Sequence, residues 1–163
     1  MGAGKVLVVI GALLTLASTF FLSFYGVAGD VYGYGIGFIL NIADIMANPG
    51  SYVAGETMVV YIVAIVYIVF LISGVLQLAG LASRVVAIIG SIIVLAVSIL
   101  MLLVLLDVLS TFAPYLTLFE ADAIAPGIFP FDFTLGNASI GTYTLIAGGV
   151  LGFVGGIIGT KDY

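Results

Sequence analysis

Few side chains in this sequence can do chemistry. It contains no Cys, no His and no Trp, which removes thiol nucleophiles, disulfides, imidazole bases, His-ligated haem and ordinary zinc ligand sets together. Eight carboxylates and three basic side chains remain among 163 residues. Glu120 and Asp122 stand two apart, in a stretch that also holds Asp107 and Asp132. Oxygen donors of this kind suit a hard cation such as calcium, yet their spacing matches no EF-hand loop, and acidic loops are commonly just solvated. Gly2-Ala-Gly4-Lys5 is too short to cradle a phosphate, and a net charge of −5 does not suit nucleic acid. The residues therefore predict no catalytic site, no cofactor, no metal and no enzyme.

Gln77 is the only amide within a long apolar stretch, and Ser73 precedes it by one turn. A hydrogen bond between helices is its expected role. A proton or ion pump would need a carboxylate in mid-membrane, where ionisable residues are functional by default; the apolar stretches hold none.

The elements that would position these residues follow from composition. The chain is 64% hydrophobic and 7% charged, with a mean hydropathy of +1.43, against about 45–50% and 25% in soluble domains. About 20 apolar residues cross a bilayer. Four stretches qualify: Val6–Tyr25, Thr57–Leu81, Val85–Leu106 and Thr142–Thr160. The expected fold is an all-α membrane protein, a single domain over residues 1–163, built as a four-transmembrane-helix bundle with loops at 26–56 and 107–141. Lys5, Arg84 and Lys161 all fall on one side, which the positive-inside rule makes cytoplasmic. Asp30, Asp44, Glu56, Asp107, Glu120, Asp122 and Asp132 gather on the other, and only Asp162 is inside. The orientation is N-in, C-in, with Phe20, Phe21, Phe24, Tyr25, Phe112, Tyr115 and Tyr143 expected as interfacial anchors. Lys5, its apolar run and Gly26-Val27-Ala28 loosely fit a signal peptide, but the run exceeds the usual 7–15 residues, so a retained span is expected.

In the first loop, Asn41, Asp44 and Asn48 oppose Phe38, Ile42, Ile45 and Met46, the pattern of a short amphipathic helix lying on the interface or capping the bundle. In the second, Phe131–Leu135 alternates like a strand before Gly136-Asn137, which predicts a small hairpin. Phe38, Ile39, Phe119, Ile128, Phe129, Phe131 and Phe133 are too apolar for floppy loops, so an ordered cap is expected. Asn137-Ala-Ser139 matches the N-glycosylation triplet.

Gly148, Gly152 and Gly156 repeat every four residues in the fourth span, and Gly155 and Gly159 repeat again. Small residues at this spacing let helix backbones approach closely, within the chain or between copies. Residues 6–17 also line up with 85–96 at an offset of 79: Val6/Val85, Ile10/Ile89, Gly11/Gly90, Leu16/Leu95 and Ala17/Ala96 match. Two related hairpins would follow, although the second and fourth spans align poorly with each other at that offset.

Four spans, cytoplasmic termini and two outer loops resemble the tetraspan plan of tetraspanins and claudins. The resemblance is one of topology, because the cysteine and tryptophan signatures of those families are absent. The function expected is a structural or assembly protein that associates with membrane lipid and with its own copies, or with a larger envelope, virion or membrane complex. It would sit in a plasma membrane or virion envelope. An accessory subunit of a respiratory or other membrane enzyme, and a small channel or carrier, are the alternatives.

Overall fold

The computed structural model describes residues 2–159, so Thr160, Lys161 and Asp162 lie outside the described residues. The helices are α1 (Ala3–Phe21), α2 (Gly35–Ala47), α3 (Thr57–Ala79), α4 (Arg84–Leu105), α5 (Ala113–Leu116) and α6 (Ile140–Ile158). Four of them, α1, α3, α4 and α6, are long and apolar enough to cross a membrane. Only Lys5 and Arg84, in the first turns of α1 and α4, put a charge on them. The four form a ring in which α1 packs on α3 and α6, and α4 on the same two. Residues 80–83 turn at one end of the bundle, the turn end. The two long connections gather at the other, the loop end.

The first span is shorter than its composition predicts. At Leu22 the backbone becomes extended, with φ −106° and ψ 150°, because Phe131 pairs beside it: its N–H donates to the Phe21 carbonyl at 2.9 Å, and its carbonyl accepts from Ser23 N–H at 3.0 Å. Phe24 and Tyr25, expected as interfacial anchors, are instead buried in the core. Asp107 halts α4 in the left-handed region at φ 60°.

The bundle has a twofold pattern in its contacts. A methyl group placed on Gly11 of α1 would lie 2.6 Å from Gly152 N and 2.7 Å from the Gly148 carbonyl oxygen of α6; one on Gly90 of α4 would lie 2.9 Å from Gln77 N and 3.0 Å from the Ser73 carbonyl oxygen of α3. Gly74 of α3 likewise faces Leu16 and Thr15, as Gly149 of α6 faces Leu95 and Val94, and Gly80 faces Ala87 as Gly155 faces Val8. Every α1 residue maps to α4 by 79 (90 − 11, 95 − 16, 87 − 8). Gly74 and Gln77 of α3 and Gly80, which caps it, map to α6 by 75 (149 − 74, 152 − 77, 155 − 80). At the second offset Gly74-Val75-Leu76 and Gly80 coincide with Gly149-Val150-Leu151 and Gly155. The second and fourth spans therefore do align; equivalent residues lie four positions closer together in the second hairpin than in the first (79 − 75), which hides the match at a single offset.

At the loop end both connections form one layer. Strands β1 (Tyr25–Gly26), β2 (Val31–Gly33) and β3 (Glu120–Asp122) make an antiparallel sheet in that order, with Gly33 paired to both Tyr25 and Glu120. A two-stranded hairpin, β4 (Thr134–Leu135) and β5 (Ala138–Ser139), turns through Gly136 at φ 72° and leads into α6. Phe119 lies at the centre of the aromatic core beneath the sheet. Its ring centroid is 4.3 Å from Tyr67, 5.4 Å from Phe24, 5.6 Å from Phe38 and 6.2 Å from Phe70. Burying a ring of this size is worth about 1.5–3 kcal/mol, and each favourable ring pair about 0.5–1.5 kcal/mol more.

Candidate functional site

Two sets of polar or small residues are positioned by this fold, one in the bundle and one in the cap. In the bundle, Gly148 and Gly155 face α1, where Gly4 and Gly11 supply the opposing gaps, Gly149 and Gly156 face Leu95 and Ile88 of α4, and Gly152, whose backbone Gly11 approaches, turns its open side to Ser91 and Gln77. The close approaches are thus within the chain. Gly159 is not in the helical row: it caps α6 at φ 104°, and a methyl on it would meet nothing. Gly4, Gly11 and Gly149 are contact residues that the span-four spacing did not single out. The seven-residue interval between Gly4 and Gly11, matching that between Gly148 and Gly155, is the signal that points to the first two.

Gln77 is fully buried and donates from Nε2 to Ser91 Oγ at 3.0 Å; Ser91 in turn donates to the Ala87 carbonyl at 2.7 Å. Ser73 turns away, donating to the Phe70 carbonyl. Gly152 makes room for the pair, because a methyl there would sit 2.5 Å from Ser91 Oγ and 2.7 Å from Gln77 Nε2. Gln77 Oε1 is buried without a hydrogen-bond partner, as are Thr15 Oγ1 and Thr19 Oγ1 on α1.

In the cap, Asp132 pins the β4–β5 hairpin to the bundle. Ser23 Oγ and Ser139 Oγ both donate to Asp132 Oδ1, the latter at 2.6 Å, and Thr134 Oγ1 donates to Oδ2 at 3.2 Å. Ser139 is the N-cap of α6, so the carboxylate lies at the positive end of that helix dipole. A serine beside a carboxylate with no imidazole between them is not an acyl-transfer triad. The arrangement holds the end of α1, the hairpin and α6 together.

Glu120 and Asp122 line an open hollow of about 660 Å³ with Asn41, Ser51, Tyr52 and Thr117. Partial burial pushes the Glu120 carboxyl above its ordinary value, and a hydrogen bond from the Tyr25 hydroxyl at 3.4 Å partly opposes this. Burial, then the charge on Glu120, pushes Tyr25 well up; its hydroxyl donates to the Leu116 carbonyl at 2.6 Å. Tyr52 is pushed up to about 12 by burial and by its hydrogen bond to Asp44 at 3.0 Å. Asp107 ends α4 and Asp132 is held by serines, and no three acidic residues gather as a metal cluster among the described residues. Asn137 is exposed, but its Nδ2 donates to the Leu105 carbonyl at 2.9 Å, and Ser139 of its triplet is buried against Asp132.

Comparison with protein-family models, curated proteins and solved structures finds no match to this chain.

The two sets have different uses. The bundle set is spent inside the chain on helix packing. The cap set ties together a hydrogen-bonded layer that displays Ile124, Ile128, Phe131, Phe133 and Leu135, all exposed.

Proposed function

We propose that the chain is a non-catalytic assembly protein of a membrane, which meets copies of itself or a larger complex through its cap. The observation that carries this reading is the exposed apolar row from Ile124 to Leu135, with Ile128 74% exposed, on a layer hydrogen-bonded to the ends of α1 and α6. Apolar side chains displayed on an ordered scaffold mark interaction surfaces. The glycine rows, taken up within the chain, are not the docking face. The loop end is the outer one in this reading, with both termini inside, because Lys5 and Arg84 stand together at the turn end. The membrane is a plasma membrane or an envelope.

The test is the mass and composition of the native particle in mild detergent, for wild type and for an Ile128→Asp, Phe133→Asp variant. A particle of several identical chains that falls to one chain in the variant, with helicity unchanged, is the expected result. A wild-type particle of a single chain overturns the proposal, and one containing cofactor-bearing chains makes this an accessory subunit.

A carrier is the second reading, and one observation favours it. The twofold-related hairpins enclose a buried amide with an unpartnered oxygen between the two repeats, the interface at which repeat-built carriers bind substrate. Solute flux into liposomes that disappears in Gln77→Leu would replace the first reading with this one.

A further inference from the structure

α2 does not lie across the end of the bundle. Its residues meet α3 in reverse order. Gly35 lies against Leu71, where a methyl would be 3.1 Å from Cδ2; the Phe38 and Tyr67 rings are 5.8 Å apart; and the Tyr61 hydroxyl donates to the Met46 carbonyl at 3.0 Å. From Gly35 to Met46 is 11 residues (46 − 35) and from Leu71 to Tyr61 is 10 (71 − 61), about 16 and 15 Å of helix. Equal lengths run in opposite directions only if the two helices stand side by side.

The depth follows from α4. Val63 and Val104 line one crevice between α3 and α4, so Val63 marks the level at which α4 ends. Tyr67 then lies about 6 Å, and Leu71 about 12 Å, further toward the turn end. Half of a hydrocarbon core is about 15 Å. The amino end of α2 therefore lies about 12 Å below the level at which α4 ends, beside the Thr19 carbonyl near the end of α1, deeper than the roughly 5–10 Å reached by a helix lying in the interface.

The faces of α2 agree with that depth. Phe38 and Ile45 are buried in the core, while Ile39, Ala43 and Met46 face outward. The polar edge is turned away from them: Asn41 Nδ2 donates to the Glu120 carbonyl at 2.7 Å, and Asp44 accepts from Asn48 and Tyr52. At the same level α3 exposes Ile62 and Ile65, so the outward face of α2 continues a lipid-facing belt. We propose that α2 is a half-membrane helix whose Ile39–Ala43 face is covered by acyl chains of the leaflet at the loop end. This rests on the reading that α3 crosses the bilayer.

The chain has no tryptophan, so one introduced indole reports its own surroundings. Ile39→Trp, with Ala43→Trp as a second probe on the same face, is reconstituted in vesicles containing acyl-brominated phosphatidylcholine and titrated with aqueous acrylamide. Ile65→Trp on α3, at a position 61% exposed, is the reference for lipid. Quenching of the α2 probes by brominated lipid to at least half the extent seen for Ile65→Trp, with acrylamide several-fold less effective than on free tryptophan, is expected. Strong acrylamide quenching without lipid quenching would place α2 in water and overturn the proposal. Protection from both would do so as well, by showing that protein covers this face. If Ile65→Trp itself escapes brominated lipid, the reading of α3 as a span fails, separately from the placement of α2.

Discussion

The two hairpins of the bundle are built on the same contacts and yet are not interchangeable. In the first, Gly11 approaches Gly148 and Gly152, and Gly74 receives Leu16. In the second, Gly90 approaches Ser73 and Gln77, and Gly149 receives Leu95. The equivalent positions 77 and 152 depart from this equality, since one is a glutamine and the other a glycine. They face each other, so a side chain on one occupies the space left by the other. A twofold-symmetric pair cannot place a large residue at both positions, and the asymmetry resolves that conflict. Backbone contacts preserve the repeat, whereas the space between the hairpins is filled from one side only.

The largest effect is expected at the two equivalent glycines. Gly11→Val puts carbon within 2.6 Å of Gly152 N, and Gly90→Val meets α3 in the same way. Each is expected to cost about 3 kcal/mol or more, the upper range for overpacking a tight interface. The two costs should agree within about 1 kcal/mol in denaturant unfolding from detergent. A large cost at one glycine alone would break the equivalence.

An exchange of the unequal pair sharpens the comparison. Gly152→Gln should unfold the bundle by driving a second amide into Gln77 and Ser91. Adding Gln77→Gly should restore most of the lost stability, a coupling of about 1–3 kcal/mol in a double-mutant cycle. Additive losses would show that the two positions do not share one space.

The smallest effect belongs to the cap, where the halves have nothing in common. Burial raises the Glu120 pKa above its ordinary value of 4.5, so the folded state holds this proton more tightly than the unfolded one. Its contribution to stability is fully present below 4.5 and is lost as pH rises through the folded-state value. Glu120→Gln should thus be slightly more stable than wild type at neutral pH and equal to it below 4.5, as read from thermal unfolding across pH. A variant less stable at neutral pH would show that the charged carboxylate supports the cap.

Much of the bundle was legible in the chain. Runs of apolar residues without internal charge place the four long helices to within a few residues, and the alignment of residues 6–17 with 85–96 hinted at the repeat. The ends of the spans were less legible. Leu22–Tyr25 continues the apolar run of α1, but Phe131, more than a hundred residues later, takes the backbone bonds that would have extended the helix. For the same reason Asp132 read as one more acidic loop residue, although Ser23 and Ser139 hold it at the start of α6. Nothing near Asp132 in the chain announces either partner.

By itself the sequence determined that the chain is apolar enough to form membrane-crossing helices, how many there are, and that small residues let the fourth pack closely. These properties depend on local composition and helical period. Only the tertiary structure decided that the glycines of α6 meet α1 and α4 of the same chain, that Gln77 fills the space beside Gly152, and that α2 stands against α3. These are contacts between residues distant in sequence, and which gap receives which side chain depends on how the backbones approach in space.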